Sequence, residues 1–433
     1  MPESTEISPG ARGAGEQPRP PLPSPLTSAA VSAVFLTPGS PDLYPVMKRL
    51  RDEAPVFFSD ELNMWIVSRY DDVARILKDP RRFPAATRSF ILASYPPEVR
   101  EILAATSTFS APNMGFDDQP VHDRLRRPLT QYFSFRGVAR LEERIRAIAD
   151  RHLDGMPDRP PADLVESYAR PLANSVIIEL AGFPAGDRDR VLRGHRALND
   201  FFFGRPAPEV QLGYAKDIRA WEEYLAEVID ERRRGRPGDD LISLLTRKVS
   251  QGEADYTDEE LISLFSFDII TAGIRPSSFA LINMCDELLR DRRRWEGLLA
   301  EPGRFDALFD ETLRRSGLAT GVFRATAADV AIEGVRIPAG SAVWALTASA
   351  NRDERHFAAP DSFDPHRPQL GTSLHFSHGL HYCLGVNLAR TVTRAGLAAL
   401  MRRHPGMRRV MERTPVYEQG INVIAPARFT VEW

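Results

Sequence analysis

Residues 376–385 read Phe-Ser-His-Gly-Leu-His-Tyr-Cys-Leu-Gly and open onto an amphipathic helical pattern at 386–403. A cysteine placed this way can do chemistry as a thiolate, which is both a strong nucleophile and a soft metal ligand. The positive end of a helix favours that ionised form. Gly379 and Gly385 leave room for backbone amides to approach the sulfur of Cys383. A lone cysteine would otherwise read as buried packing, and it is the Gly, His and aromatic company of Cys383 that argues for chemistry. The other cysteine, Cys285, lies in a long helical pattern without such neighbours and reads as core.

The elements that must hold this loop follow from periodicity. Helical patterns cover 71–78, 122–133, 138–156, 164–181, 187–202, 215–234, 304–316 and 387–404. Thr257 and Glu260 form a capping-box pair, Thr-x-x-Glu, ahead of an apolar run reaching about residue 293. Such a helix is roughly 50 Å long, enough to cross the domain. Short strand-like runs occur at 55–58, 64–67, 323–326, 330–332 and 342–346, and 416–433 resembles a hairpin. The fold class is therefore mainly α with minor β. Residues 82–120 show weak periodicity and read as a long functional loop.

Composition narrows the function. The 433 residues hold 56 Lys plus Arg against 59 Asp plus Glu, a formal charge of −3, which excludes a broadly basic nucleic-acid binder. Two cysteines exclude a disulfide scaffold. No apolar run approaches the roughly 18 residues of a membrane span, and no secretion signal stands out, so a soluble, cytoplasmic protein with no membrane or nucleic-acid partner is expected. Seven prolines in the first 25 residues make 1–30 a disordered leader in this reading, or a partner-docking arm.

Phe-x-x-Gly-x-His-x-Cys-x-Gly resembles the haem-ligand signature of the cytochromes P450. The resemblance implies a haem-thiolate enzyme in a single domain over 31–433, with a long central helix over the haem and small sheets at the edges. It makes Cys383 the axial ligand of a haem b iron, whose thiolate pushes electron density toward the metal. Phe376 and Gly385 then pack about the sulfur and haem. His122-Asp-Arg-Leu-Arg126, Arg324 and His381 match the family's partners of the haem propionates. Glu311-Thr-Leu-Arg314 and Phe363-Asp-Pro-His-Arg367 match its Glu-x-x-Arg pair and the segment supplying a second arginine, a structural set that supports the cysteine loop. Gly334-Val-Arg-Ile-Pro-Ala-Gly340 and Ala350-Asn-Arg-Asp353 are similar to further family segments, and the likeness is strongest to the soluble bacterial type.

One stretch departs from the family. Where an acid–alcohol pair usually follows Ala-Gly-x in the central helix, this chain has Ala272-Gly273-Ile274-Arg275-Pro276-Ser277. Gly273 still permits close approach to bound oxygen. Arg275 cannot release a proton at working pH. Pro276 has neither hydroxyl nor N–H, and its ring should clash with the Ala272 carbonyl and kink the helix. The departure favours chemistry less dependent on protein-supplied protons, such as oxidative coupling or ring formation on an aromatic or cyclic-peptide substrate. The other reading is ordinary hydroxylation or epoxidation with water, Ser277 or Thr271 as the relay. Arg275 could anchor a substrate carboxylate or carbonyl, or pair with Asp268 or another carboxylate.

By family position, Phe90, Phe109, Met114, Phe202, Ala272, Val322 and Ile421 are candidates for the substrate pocket. No Rossmann fingerprint is present, so electrons from NAD(P)H would arrive through a separate ferredoxin and ferredoxin reductase. Arg127, Arg390 and Arg394 are candidate docking residues. A haem carrier or sensor, or a catalytically dead recruitment protein, are the readings outside enzymology.

Overall fold

The computed structural model describes residues 26–36, 43–204, 206–235, 238–410, 418 and 421–433. Helices dominate. A four-stranded sheet takes Val56–Ser59, Met64–Val67, Ala342–Ala345 and Val322–Ala325 in that spatial order. Met64–Val67 and Ala342–Ala345 pair in parallel, and the outer pairings are antiparallel. A second sheet joins Ala162–Asp163, Thr430–Glu432 and Arg408–Arg409, and a third pairs Val330–Ile332 with Val335–Ile337.

The central helix begins as expected. The Thr257 hydroxyl accepts from the Glu260 N–H at 3.2 Å, and the Glu260 carboxylate accepts from the Thr257 N–H at 3.0 Å. The helix runs as Asp258–Ser263, a π-helical Leu264–Thr271 and then Ala272–Arg290. It ends at Asp291, whose side chain caps the next helix, Arg292–Ala300, so it stops short of residue 293. Phe265, Ile270, Leu281 and Leu288 are buried along it, each burial stabilising by about 1.5–3 kcal/mol. Arg170–Ala181, Phe305–Ser316 and Val386–Arg403 pack around it.

The change of helical register lies before Pro276, in the π segment, where sequence places the disturbance at the proline itself. The Thr271 hydroxyl donates to the Ser266 carbonyl five residues back at 2.9 Å. Beyond it, Ser277 and Ser278 donate to the Gly273 and Arg275 carbonyls at 2.7 and 2.9 Å. Hydroxyls thus satisfy backbone acceptors around a residue that has no N–H to give.

Three other expectations need correction. Residues 82–120 are not a structureless loop but carry the short helices Arg88–Ala93, Pro97–Ala104 and Ser107–Ser110, too short to register as a period. Of the expected leader, 1–25 lies outside the described residues, and the helix Ser28–Leu36 already occupies its end. Val31 and Phe35 of that helix are buried, packing with Trp344 and Leu50. The terminal segment, of which 416, 417, 419 and 420 lie outside the described residues, is tied by a Glu418 N–H to Ala425 carbonyl bond of 2.9 Å. Its strand Thr430–Glu432 pairs with distant strands.

Candidate active site

A cavity of about 460 Å³ lies between the central helix and the cysteine loop. Cys383, Phe376, His381, Gly385, His122, Arg126 and Arg324 line it on one side. Gly273, Arg275, Pro276 and Ser277 line it on the other. Residues up to 263 positions apart in sequence, from 122 to 385, therefore meet at one place.

The loop is shaped before its helix starts. The Cys383 N–H donates to the Phe376 carbonyl at 3.0 Å, closing the turn. Ser377 and Gly379 take φ of 65° and 71°. A Cβ at Gly379 would stand 2.7 Å from the Leu77 carbonyl oxygen, so glycine is required there on both counts. Burial pushes the Cys383 thiol up, while the Gly385 N–H and the Arg126 charge pull it down. Cys285, by contrast, is wholly buried among apolar neighbours and reads as core.

The basic residues of the cavity keep donors in reserve. His122 is 1% exposed, and its Nδ1 contacts the Asp123 carboxylate at 3.0 Å while Nε2 has no partner among the described residues. Arg324 donates from Nη1 to the Phe323 carbonyl at 2.8 Å, and its Nη2 has no partner among the described residues. Desolvation lowers Arg324 to about 10. Orphaned buried donors are rare because each costs a lost hydrogen bond. They fit a group bearing carboxylates beside a soft sulfur ligand, as haem does. Arg126 donates to the Tyr382 carbonyl at 2.7 Å. His381 contacts Asp118 at 2.8 Å through Nε2. Asp118, which also accepts from the Ala85 N–H at 2.9 Å, carried no motif and was not singled out from sequence.

Behind the loop, Glu311 and Arg314 are 0% exposed and bond through Oε2–Nε at 2.6 Å and Oε1–Nη2 at 2.8 Å. Arg367 stands 3.5 Å from Glu311, and the Asp364 N–H donates to it at 2.9 Å. Arg314 also donates to the Asn351 and Pro360 carbonyls at 2.7 and 2.8 Å. The buried charges are paired and hydrogen-bonded, as burial demands. The network fastens the segment before the cysteine loop to the helix Phe305–Ser316.

On the opposite side, Arg275 does not reach Asp268. Its Nη2 bonds Glu418 at 2.8 Å, and Arg170 bonds the other oxygen of the same carboxylate at 2.5 Å. The guanidinium is thereby held by the terminal segment. Gly273 has a packing reason to be glycine, since a Cβ there would stand 3.1 Å from Ile177 Cδ1 on the neighbouring helix.

Among the substrate-pocket candidates, Met114, Ala272 and Val322 line the cavity. Phe90, Phe109, Phe202 and Ile421 do not. Phe109 and Phe202 stack on each other at 5.1 Å in an aromatic layer with Phe116 and Phe267. Ile421 joins the separate cluster beneath the four-stranded sheet. The wall is instead completed by Phe203, Phe267, Asn422 and Val423. Phe203, not the Phe202 expected from family position, faces the cavity, and both lie on a π turn at Asp200–Gly204.

Known proteins resemble this chain in sequence and fold. Residues 305–407 match the family model described as Cytochrome P450. Nocardicin C N-oxygenase of Nocardia uniformis subsp. tsuyamanensis is 34% identical over 412 residues, covering 92% of this chain and 98% of the relative. Mycinamicin IV hydroxylase/epoxidase of Micromonospora griseorubida is 32% identical over 375 residues, covering 85% and 89%. The crystal structure of the Tepidiphilus thermophilus P450 heme domain superposes with a TM-score of 0.82 at 31% identity, over 90% of this chain and 94% of that one. With the loop, the cavity and these matches in accord, the chain belongs to the cytochrome P450 family, among its bacterial oxidoreductases.

Proposed function

We propose that this single-domain, cytoplasmic enzyme tailors a small specialised metabolite by oxidative coupling or ring formation on an aromatic or cyclic-peptide substrate. Cys383 is the iron ligand, with Phe376 and Gly385 packed about the sulfur. His122, Arg126, Arg324 and His381 hold the haem propionates, and Glu311, Arg314 and Arg367 brace the loop. When bound, haem supplies the one-electron and oxygen chemistry. The protein's part is to hold the substrate, exclude water and govern protons.

The observation that carries the proposal is the state of the central helix. Arg275, in the acid's position, is tied to Glu418 and holds its proton. Pro276, in the alcohol's position, has none to give. The nearby hydroxyls of Thr271 and Ser277 donate to backbone carbonyls. A reaction in which the substrate supplies its own acidic hydrogen asks least of this helix. The second reading, hydroxylation or epoxidation through Ser277, is favoured by its place in the cavity wall and by the name of one relative, mycinamicin IV hydroxylase/epoxidase. Installing Arg275→Glu with Pro276→Thr and measuring product per NAD(P)H separates them. The first reading expects no gain in coupling efficiency, and a sharp rise would support the second.

Electrons reach the site from NAD(P)H through a ferredoxin reductase and a ferredoxin in this proposal. Arg390 and Arg394 are poor docking groups because Asp306 and Asp310 already pair with them at 2.7–3.2 Å. Arg127, Arg136 and Arg140 are exposed and carry no ion pair among the described residues. They flank Phe135, which is 75% exposed. This corner abuts the cysteine side, where Asn387 donates to the Phe133 carbonyl at 2.9 Å. An acidic partner with an apolar contact fits it.

A further inference from the structure

On the substrate side of the cavity, one ionisable wall residue has no ion partner among the described residues. Arg275 is held by Glu418. Asp268, on the π segment of the central helix, lines the cavity, and its Oδ2 is buried without a hydrogen-bond partner among the described residues. Arg88, whose charge acts on this carboxyl, is itself paired with Asp117 at 2.8 Å. The Met114 and Gly115 N–H groups face the carboxyl, and Tyr256 lies near it as a buried phenol. A Cβ at Gly115 would stand 3.0 Å from Asp268 Oδ1 and 3.2 Å from Phe267, so the side chain is closely fitted from the loop side.

Around this carboxyl the wall is aromatic. Phe267, the next residue, and Phe203 line the same cavity, with Phe116 and Phe202 each 4.6 Å from Phe267. A carboxylate guest would find at most one hydrogen bond, from the protonated acid, and repulsion wherever that acid ionises. A neutral carbonyl could accept one hydrogen bond. An ammonium group satisfies more of the site, because it pairs with the carboxylate and lies against aromatic faces, which attract cations.

We propose that Asp268 recognises a basic nitrogen on the substrate. The assignment rests on the reading of this cavity as the substrate pocket. No covalent bond changes: the ammonium N–H donates to the carboxylate, and a proton held by Asp268 leaves to solvent when the guest arrives already protonated. Burial raises Asp268 to about 8, with the Met114 and Gly115 N–H groups and Arg88 opposing the rise and Asp117 adding to it. Amine affinity therefore increases with pH up to about 8, and falls only where the amine itself loses its proton.

The test uses the haem-loaded enzyme and three probes of equal length: a dimethylamino-terminated phenylalkane, its isopropyl-terminated isostere and the matching carboxylate. Dissociation constants are read by titration calorimetry, with the CO spectrum confirming intact haem. Asp268→Asn is expected to lower the amine-to-isostere affinity ratio about tenfold, the effect of one desolvated charge partner. It should leave isostere binding unchanged, and the carboxylate should bind more weakly than the amine to the wild type. An unchanged ratio, or a carboxylate that binds as well as the amine, overturns the proposal. If the isostere binds and the amine does not, the pocket reading stands and the amine assignment falls. If none of the three binds to spectrally intact enzyme, both fall together.

Discussion

The two walls of the cavity are built on opposite principles. On the cysteine side, charge is locked in place: Glu311 and Arg314 are fully buried, bonded at two points and anchored to three segments. On the central-helix side, a π segment, a proline and a partly buried ion pair replace the regular turn found on either flank. The first wall fixes one sulfur in one place and tolerates little variation. The second is adjustable, because backbone carbonyls there are satisfied by side-chain hydroxyls and not solely by the helix ladder.

The sharpest way to break this contrast is Glu311→Gln. It leaves Arg314 and Arg367 without their carboxylate in a dry interior, and a loss of about 3–5 kcal/mol is expected. Denaturant titration and haem content would measure it, and a loss below that of a surface pair would erase the distinction between the walls. Glu418→Gln should cost less, about 2 kcal/mol, since the pairs it breaks, with Arg275 and Arg170, are charge-assisted but partly exposed. It should also free Arg275, so a carboxylate-bearing ligand should gain affinity over the wild type in an optical titration.

A pH-dependent effect follows from Asp268. Its carboxyl holds a proton more tightly in the folded state than its ordinary value of 3.8 allows, reaching about 8. The folded state then carries more protons than the unfolded chain between these values, so stability falls as pH rises through that window, by at most about 1.4 kcal/mol per pH unit. Asp268→Asn should flatten that decline in melting temperature against pH. An identical slope in the variant would contradict the raised value. The smallest change in stability is expected at the surface. Replacing Arg136 and Arg140 by Ala should alter stability by less than about 0.5 kcal/mol, yet slow ferredoxin-dependent reduction more than the same change at Arg390 and Arg394.

The same contrast explains what was legible in the sequence. Cys383, Phe376 and Gly379 sit in one short loop, and Glu311 lies one turn from Arg314, so local spacing carries their geometry. The capping box at Thr257 was equally local. The partner of Arg275 was not legible, because Glu418 is 143 residues away in a segment without a period. Nor could spacing choose Phe203 over Phe202 for the cavity wall, since a π turn rotates that choice by a residue. The short helices between 82 and 120 escaped for a related reason: runs of four to eight residues hold too few turns to show a 3.6-residue repeat. Asp118 and Asp268 are single acids without a motif, and only their neighbours in space give them a role.

The most direct test of the account is the absorption spectrum of the reduced, haem-loaded protein under CO, taken for the wild type and for Cys383→Ser. The account predicts the red-shifted Soret band of a thiolate-ligated iron in the wild type and its loss in the variant. The same band in both proteins would contradict it.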